Sequence, residues 1–280
     1  MKYADYIKQI EIDALWGGHK HILWPLDPHV NILSGINGVG KSTILNKVFQ
    51  SICTKGDIIN HLQKGVHITA EPADATHVRF DMIRSLDSPL IVSQSDNRRL
   101  SDFLPQGAME KASMLDVQLY SLQRKFLDYQ VNIGNRIIAA LQEGHADAAQ
   151  QLSQPKARFQ DIVDELFEDT GKKVIRTENE IRFALTTGET LQPYNLSSGE
   201  KQMLNILMTV LVEDCQPYVL FMDEPEVSLH IEWQKRLIDL ILDLNPNVQI
   251  ILTTHSPAVI MNGWLDNVTE VSDIEVKSKE

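Results

Sequence analysis

Gly35-Ile36-Asn37-Gly38-Val39-Gly40-Lys41-Ser42 matches the pattern G-x-x-x-x-G-K-[ST] at every fixed position. Glycines let a backbone wrap tightly enough to turn its N–H groups toward phosphate oxygens. The start of the following helix adds partial positive charge. A lysine at the position of Lys41 reaches the terminal phosphates, and a hydroxyl at the position of Ser42 faces Mg²⁺. The surroundings agree. His29-Val30-Asn31-Ile32-Leu33 is an apolar run of strand length before the loop, and Ile44, Leu45, Val48, Phe49 and Ile52 after it have helical spacing. An ordinary glycine turn would not need both flanks, so the loop is read as a phosphate cradle that includes Thr43.

Outward from the loop, Ile7–Asp13 and His21–Pro25 are expected to be N-terminal antiparallel strands. Val66–Ala70 and His77–Ile83 are further strands, and Leu90-Ile91-Val92 is a short apolar segment leading to Gln94. From about Leu104 to Thr170 strand signals cease. Leu115, Leu119, Leu122, Phe126, Tyr129 and Ile133 form a helical stripe too short for a coiled coil, so a helical hairpin is expected, with Gly134 a candidate kink. A second helix is expected from Pro155, burying Phe159, Ile162, Val163 and Leu166. Lys173–Arg176 and Ile181–Leu185 read as a small hairpin. Helix Gly199–Glu213, strand Tyr218–Met222, helix Leu229–Leu244 and strand Val248–Leu252 then alternate, which argues for a covered, mostly parallel sheet.

The 280 residues carry a net charge of −12, which argues against a protein that coats nucleic acid. No apolar run reaches the roughly 18 residues a membrane span needs. The N-terminus shows no secretory leader, and Cys53 and Cys215 are too few for a disulfide framework or a zinc site. A cytoplasmic protein is expected.

The run Tyr218-Val219-Leu220-Phe221-Met222 ends in Asp223-Glu224. In P-loop ATPases, which the glycine loop resembles, such a strand is expected beside the strand of the phosphate loop. Its aspartate would complete the Mg²⁺ shell, and its glutamate would polarise a water as general base. Leu196-Ser197-Ser198-Gly199-Glu200-Lys201-Gln202 opens a helix with a serine turn and lies 24 positions before Asp223, counted from Gly199. Thr253-Thr254-His255-Ser256-Pro257 follows the next strand, with His255 32 positions beyond Asp223.

In this order and spacing the segments resemble the phosphate loop, Q-loop, signature, acidic strand and switch histidine of ABC-type ATPases. The resemblance covers nearly the whole chain. It implies an α/β P-loop NTPase fold of ABC-ATPase type in one domain spanning 1–280, with a helical insert at 101–170 between Q-loop and signature. It also implies ATP as substrate and Mg²⁺ as cofactor. Gly35, Asn37, Gly38, Gly40, Lys41, Ser42 and Thr43 would hold the triphosphate; Ser42, Asp223 and Gln94 would attend the metal. Glu224 would activate water, with Gln94 beside it, and His255 and Lys41 would contact the γ-phosphate. Ser197, Ser198 and Gly199 would close on the nucleotide of a partner subunit, making a homodimer with ATP sandwiched between its halves.

Ser198 stands where transporter subunits carry glycine, and His230 where they carry aspartate. LSSGEKQ and DEPExSLH are instead similar to the soluble branch, which includes chromosome-maintenance, recombination-repair and overcoming-lysogenization-defect ATPases. The compact AAA-type ATP-binding proteins of bacterial defence loci are the best match, because the stretch from Ser95 to Asn195 is 101 residues, too short for a chromosome-maintenance arm. That likeness implies a protein effector partner such as a nuclease, in anti-phage defence or DNA maintenance. The alternative is the ATP-binding subunit of an ABC transporter. Arg98-Arg99 and Lys172-Lys173 are candidate nucleic-acid contacts or plain solvated pairs; the 11 acidic and six basic residues of 101–170 speak against a DNA clamp. Trp16 and Trp24 are candidates to stack on adenine or to serve the core.

Overall fold

A computed structural model of the chain describes residues 1–15, 20–36, 38–52, 58, 65–84 and 113–276. In chain order the elements are β1 (Tyr6–Leu15), β2 (Lys20–Pro25), β3 (Val30–Ser34), α1 (Lys41–Ile52), β4 (Val66–Glu71), β5 (Phe80–Ile83), α2 (Met114–Gln142), α3 (Ala146–Leu166), β6 (Lys172–Val174), β7 (Phe183–Leu185), β8 (Thr190–Leu191), α4 (Ser198–Val212), β9 (Tyr218–Asp223), α5 (Ile231–Leu244), β10 (Val248–Thr253), α6 (Pro257–Ile260), β11 (Val268–Glu270) and β12 (Glu275–Val276). They fall into two compact units, Met1–Ser85 with Cys215–Glu280, and Leu86–Asp214.

The first unit is built on a five-stranded parallel sheet in the order β11-β3-β10-β9-β5. Every residue of β9 and β10 is buried, as expected of strands covered on both faces. The sequence reading put the acidic strand next to the strand of the glycine loop. That is corrected here: β10 lies between β3 and β9, paired in parallel with both. The interposed strand delivers Thr253 and the turn after it into the gap between the loop and the acids.

A second sheet, β12-β2-β1-β4, is antiparallel within the described residues. Ile7 and Ile10 are three residues apart yet both fully buried. Strict alternation would put them on opposite faces. A register shift between Ile7 and Gln9 turns the strand and returns Ile10 to the core. Trp24 is 1% exposed within the same core, so it is not available to stack on a nucleotide base. Trp16 and the segment Leu90–Val92 lie outside the described residues. The strand expected at His77–Ile83 is shorter: His77 makes an isolated bridge to Tyr3, and regular pairing begins at Phe80.

In the second unit, α2 buries all six members of the Leu115–Ile133 stripe. It starts on a capping box in which Ser113 and Asp116 satisfy each other's backbone amides, and it runs through Gly134 without a break. The second helix begins nine residues before Pro155, which sits in its interior. The Ala- and Gln-rich turns upstream have little apolar period but high helix propensity, and they carry the helix across the proline. Phe159, Ile162, Val163 and Leu166 are buried as expected. The small hairpin forms from β6 and β7, with β8 as a third strand. In α4 every residue from Gln202 to Leu211 is buried.

Candidate nucleotide site

The loop after β3 depends on glycine at its two ends. Gly35 has φ 149°, and a Cβ there would lie 2.9 Å from Val39 Cγ1; Gly40 has φ 104°. This path curls the backbone around the Lys41 ammonium, which donates to Gly35 O at 3.0 Å and Ile36 O at 3.3 Å. Lys41 is 4% exposed. Burial pushes its pKa down, while the charges of Glu224, Asp223 and Glu226 oppose that drop.

At the end of β9, Asp223 is buried and its Oδ1 accepts from Ser42 Oγ at 2.8 Å and Thr253 Oγ1 at 2.6 Å. This cluster of hydroxyl and carboxylate oxygens suits a hard divalent cation. Glu224 follows with φ 48°, a left-handed conformation rare for a residue with a long side chain. Its amide is pinned to Thr253 O at 3.1 Å and Thr253 Oγ1 at 3.2 Å. Strain of this kind costs about 1–3 kcal/mol and collects where a side chain must be aimed.

The turn after β10 completes the group. His255 Nε2 lies 2.7 Å from Lys41 Nζ and 3.2 Å from Glu224 Oε1. One nitrogen cannot accept from the ammonium and donate to the carboxylate at the same moment, so only one of the two contacts is a hydrogen bond in a given tautomer. Gly38, Gly40, Lys41, Ser42, Thr43, Glu224 and His255 line an open cleft of about 650 Å³, a volume in the range of nucleotide-sized ligands. Three segments far apart in sequence thus bring the expected groups together, with Gly35 behind them on the lysine. Asn37 and Gln94, both expected at the site, lie outside the described residues.

Ser197, Ser198 and Gly199 belong to the second unit, at the start of α4. Ser197 caps the helix: its Oγ accepts from Glu200 N at 3.3 Å, and its own N donates to Glu200 Oε2 at 3.0 Å. Glu200 is 4% exposed, and its Oε1 accepts from Lys172 Nζ at 2.7 Å and Thr170 Oγ1 at 2.9 Å. Burial alone would raise the Glu200 carboxyl, but the bonds from Lys172 and Ser197 outweigh it and hold the pKa below its ordinary value. Lys172 is therefore committed to this ion pair and is not a solvated or nucleic-acid-facing cation. Arg98-Arg99 lies outside the described residues. His230, which marked the departure from transporters, caps α5, its Nδ1 accepting from Glu232 N at 3.4 Å.

Thr253, Thr254 and Glu226 also belong to the cluster, although no motif marks them. Thr254 Oγ1 donates to Glu226 Oε1 at 2.5 Å, and the His255 amide donates to the same oxygen at 3.0 Å. The signal was present in the second glutamate of Asp223-Glu224-Pro225-Glu226, but an acid in a loop after a strand ordinarily reads as solvated.

The fold is that of a P-loop NTPase of the ABC and SMC-head type. The chain belongs to the family described as "AAA domain, putative AbiEii toxin, Type IV TA system", whose model matches residues 85–262. It is 22% identical to the Septu protein PtuA of Bacillus thuringiensis, over 97% of this chain and 78% of that protein. It is 25% identical to the Retron Vc95 probable ATPase of Vibrio cholerae, over 38% of this chain and 23% of that protein. Among solved structures it is similar in fold to an Smc head domain with an extended coiled coil bound to the C-terminal domain of ScpA, from Pyrococcus furiosus. The TM-score is 0.52 at 14% identity, covering 92% of this chain and 91% of that one. No described helix is long and apolar enough to cross a membrane.

Proposed function

We propose that the protein binds ATP with Mg²⁺ in the cleft, hydrolyses it slowly, and uses the nucleotide to hold two copies of the chain together. The observation that carries this reading is the convergence of Lys41, Ser42, Glu224 and His255 on one cleft from three loops, with Asp223 bonded to Ser42 behind them. Lys41 and the loop amides hold the phosphates. Ser42 and Asp223 would hold the metal, which when bound would neutralise charge on the phosphates. Glu224 is aimed by its strained backbone to take a proton from the attacking water. His255 moves from its contacts with Lys41 and Glu224 to the γ-phosphate. Gln94 assists at the metal and the water, and Asn37 belongs to the phosphate cradle.

Ser197, Ser198 and Gly199 present a helix start suited to an anion, and in this reading they close on the nucleotide held by the partner subunit. The dimer then gates a protein effector such as a nuclease, or a nucleic-acid transaction, in the cytoplasm of a prokaryote as part of anti-phage defence or DNA maintenance. The similarity to a Septu protein and to a retron ATPase supports the defence branch over a transporter subunit.

The test is Glu224→Gln. The variant is expected to bind ATP normally, to release phosphate about 10²–10⁴-fold more slowly, and to run as a dimer with ATP in size-exclusion chromatography with light scattering. Hydrolysis at the wild-type rate removes the general-base role. A monomer at saturating ATP removes the sandwich.

A further inference from the structure

Glu226 has no task in the reaction just described, yet it is one of the most deeply placed acids of the first unit. It is 7% exposed. A carboxylate removed from water is costly unless its oxygens are matched. Oε1 is matched twice, by the Thr254 hydroxyl at 2.5 Å and the His255 amide at 3.0 Å. Oε2 has no hydrogen-bond partner. The side-chain bonds of this acid therefore go to the two residues that carry the His255 ring. Charge-assisted bonds of this kind are roughly twice as strong as neutral ones.

The loop is held from its other end as well. Gln234 of α5 donates to Leu229 O at 2.9 Å and to Glu226 O at 3.4 Å, and its Oε1 accepts from Ser256 Oγ at 2.6 Å. Ser256 N in turn donates to Thr254 Oγ1 at 2.9 Å. His255 thus has Glu226 on its amide and a Gln234–Ser256 clamp on the next residue. Its ring is left free to reach into the cleft, at 36% side-chain exposure.

We propose that Glu226 is the positioning residue for His255: it fixes the Thr254–His255 backbone so that the imidazole stands between Lys41 and Glu224. This rests on the reading of the cleft as an ATP-hydrolysing site. The role requires an acceptor at a fixed reach and not a proton carrier. Glu226→Gln keeps the acceptor and should retain most of the turnover. Glu226→Asp keeps the charge but withdraws the oxygen by one methylene. Glu226→Ala removes it.

The experiment is steady-state ATPase kinetics on the full chain, with His255→Ala as reference. Glu226→Asp and Glu226→Ala are expected to lower kcat by about 10–100-fold, the scale of a displacement near 1 Å at a reacting centre, with KM for ATP within about twofold. Combining Glu226→Ala with His255→Ala should add no further loss, because both act on one group. Multiplying losses in the double variant, or wild-type kcat in Glu226→Asp, overturns the proposal. His255→Ala at the wild-type rate overturns instead the reading of the site. If the wild-type chain hydrolyses no ATP, that reading fails and the ¹H–¹⁵N imidazole spectrum decides Glu226 alone. The His255 signal should shift in Glu226→Asp and stay in place in Glu226→Gln; an unmoved signal in Glu226→Asp overturns the positioning role.

Discussion

Glu200 and the pair Asp223-Glu224 both lie at the ends of recognisable motifs, and they are handled in opposite ways. Glu200, behind the serine turn of the second unit, is closed: Lys172, Thr170 and Ser197 occupy both of its oxygens, and it gives its backbone no strain. Asp223 and Glu224, at the end of β9, are left open. Asp223 is bound by hydroxyls that a cation can replace, and Glu224 is held in a left-handed conformation with its carboxylate at the edge of the cleft. The difference teaches what each region is for. Closed charge fixes the start of α4 in place. Open charge stores interactions that a ligand can take over.

Glu224→Gln gives the largest separation between the two. A general base contributes about 10²–10⁴ in rate, so turnover should fall by that factor while the chemical-denaturation midpoint stays within error. The amide keeps the shape and only the proton acceptor is lost. A shift in midpoint comparable to that seen at the closed acid would break the distinction.

The matching change in the second unit is Lys172→Ala, which strands Glu200 as a buried, unpaired acid. Breaking such a pair costs about 3 kcal/mol, read as a lowered urea midpoint. Replacing both partners, Lys172→Met with Glu200→Gln, should recover most of that loss. Failure to recover would mean the pair does more than neutralise charge. The same pair sets an acid limb. Glu200 titrates below its ordinary 4.5 in the folded chain, and Asp116, bonded to Lys201 and Ser113, is also held low against the rise that burial alone would cause. Each therefore contributes stability that is whole above about pH 4.5 and drains away as the pH falls through the folded-state value. Urea midpoints from pH 6 to pH 3 should show this slope, and Lys172→Ala should flatten it.

The parts of this contrast that were legible in sequence are those that repeat a local pattern. A glycine loop between strand and helix, an apolar run ending in acids, and a six-residue stripe on α2 each follow from spacing alone. What was hidden depends on who sits beside whom. Nothing in the spacing says that β10 lies between β3 and β9, because strand order is set by packing across the sheet. Lys172 looked like half of a surface pair, since its partner is 28 residues away. Glu226 carries no local mark of its burial for the same reason, its donors arriving from the end of β10. The early start of α3 escaped because Ala and Gln form helix without marking a face.

The finest test uses two serines with the same local job. Ser113 caps α2 and Ser197 caps α4, each in a capping box with an acid three residues on. Replacing either by alanine removes one bond to an otherwise orphaned amide and should cost about 1 kcal/mol. As caps the two are equivalent, so Ser113→Ala and Ser197→Ala should lower the urea midpoint to a similar degree. They should differ only in the presence of ATP. If the start of α4 bears on the nucleotide of a partner subunit, Ser197→Ala weakens ATP-dependent dimerisation of the Glu224→Gln chain, whereas Ser113→Ala leaves it unchanged. Equal dimerisation in both would reduce Ser197 to a helix cap, and the closed acid beneath it to a purely structural one.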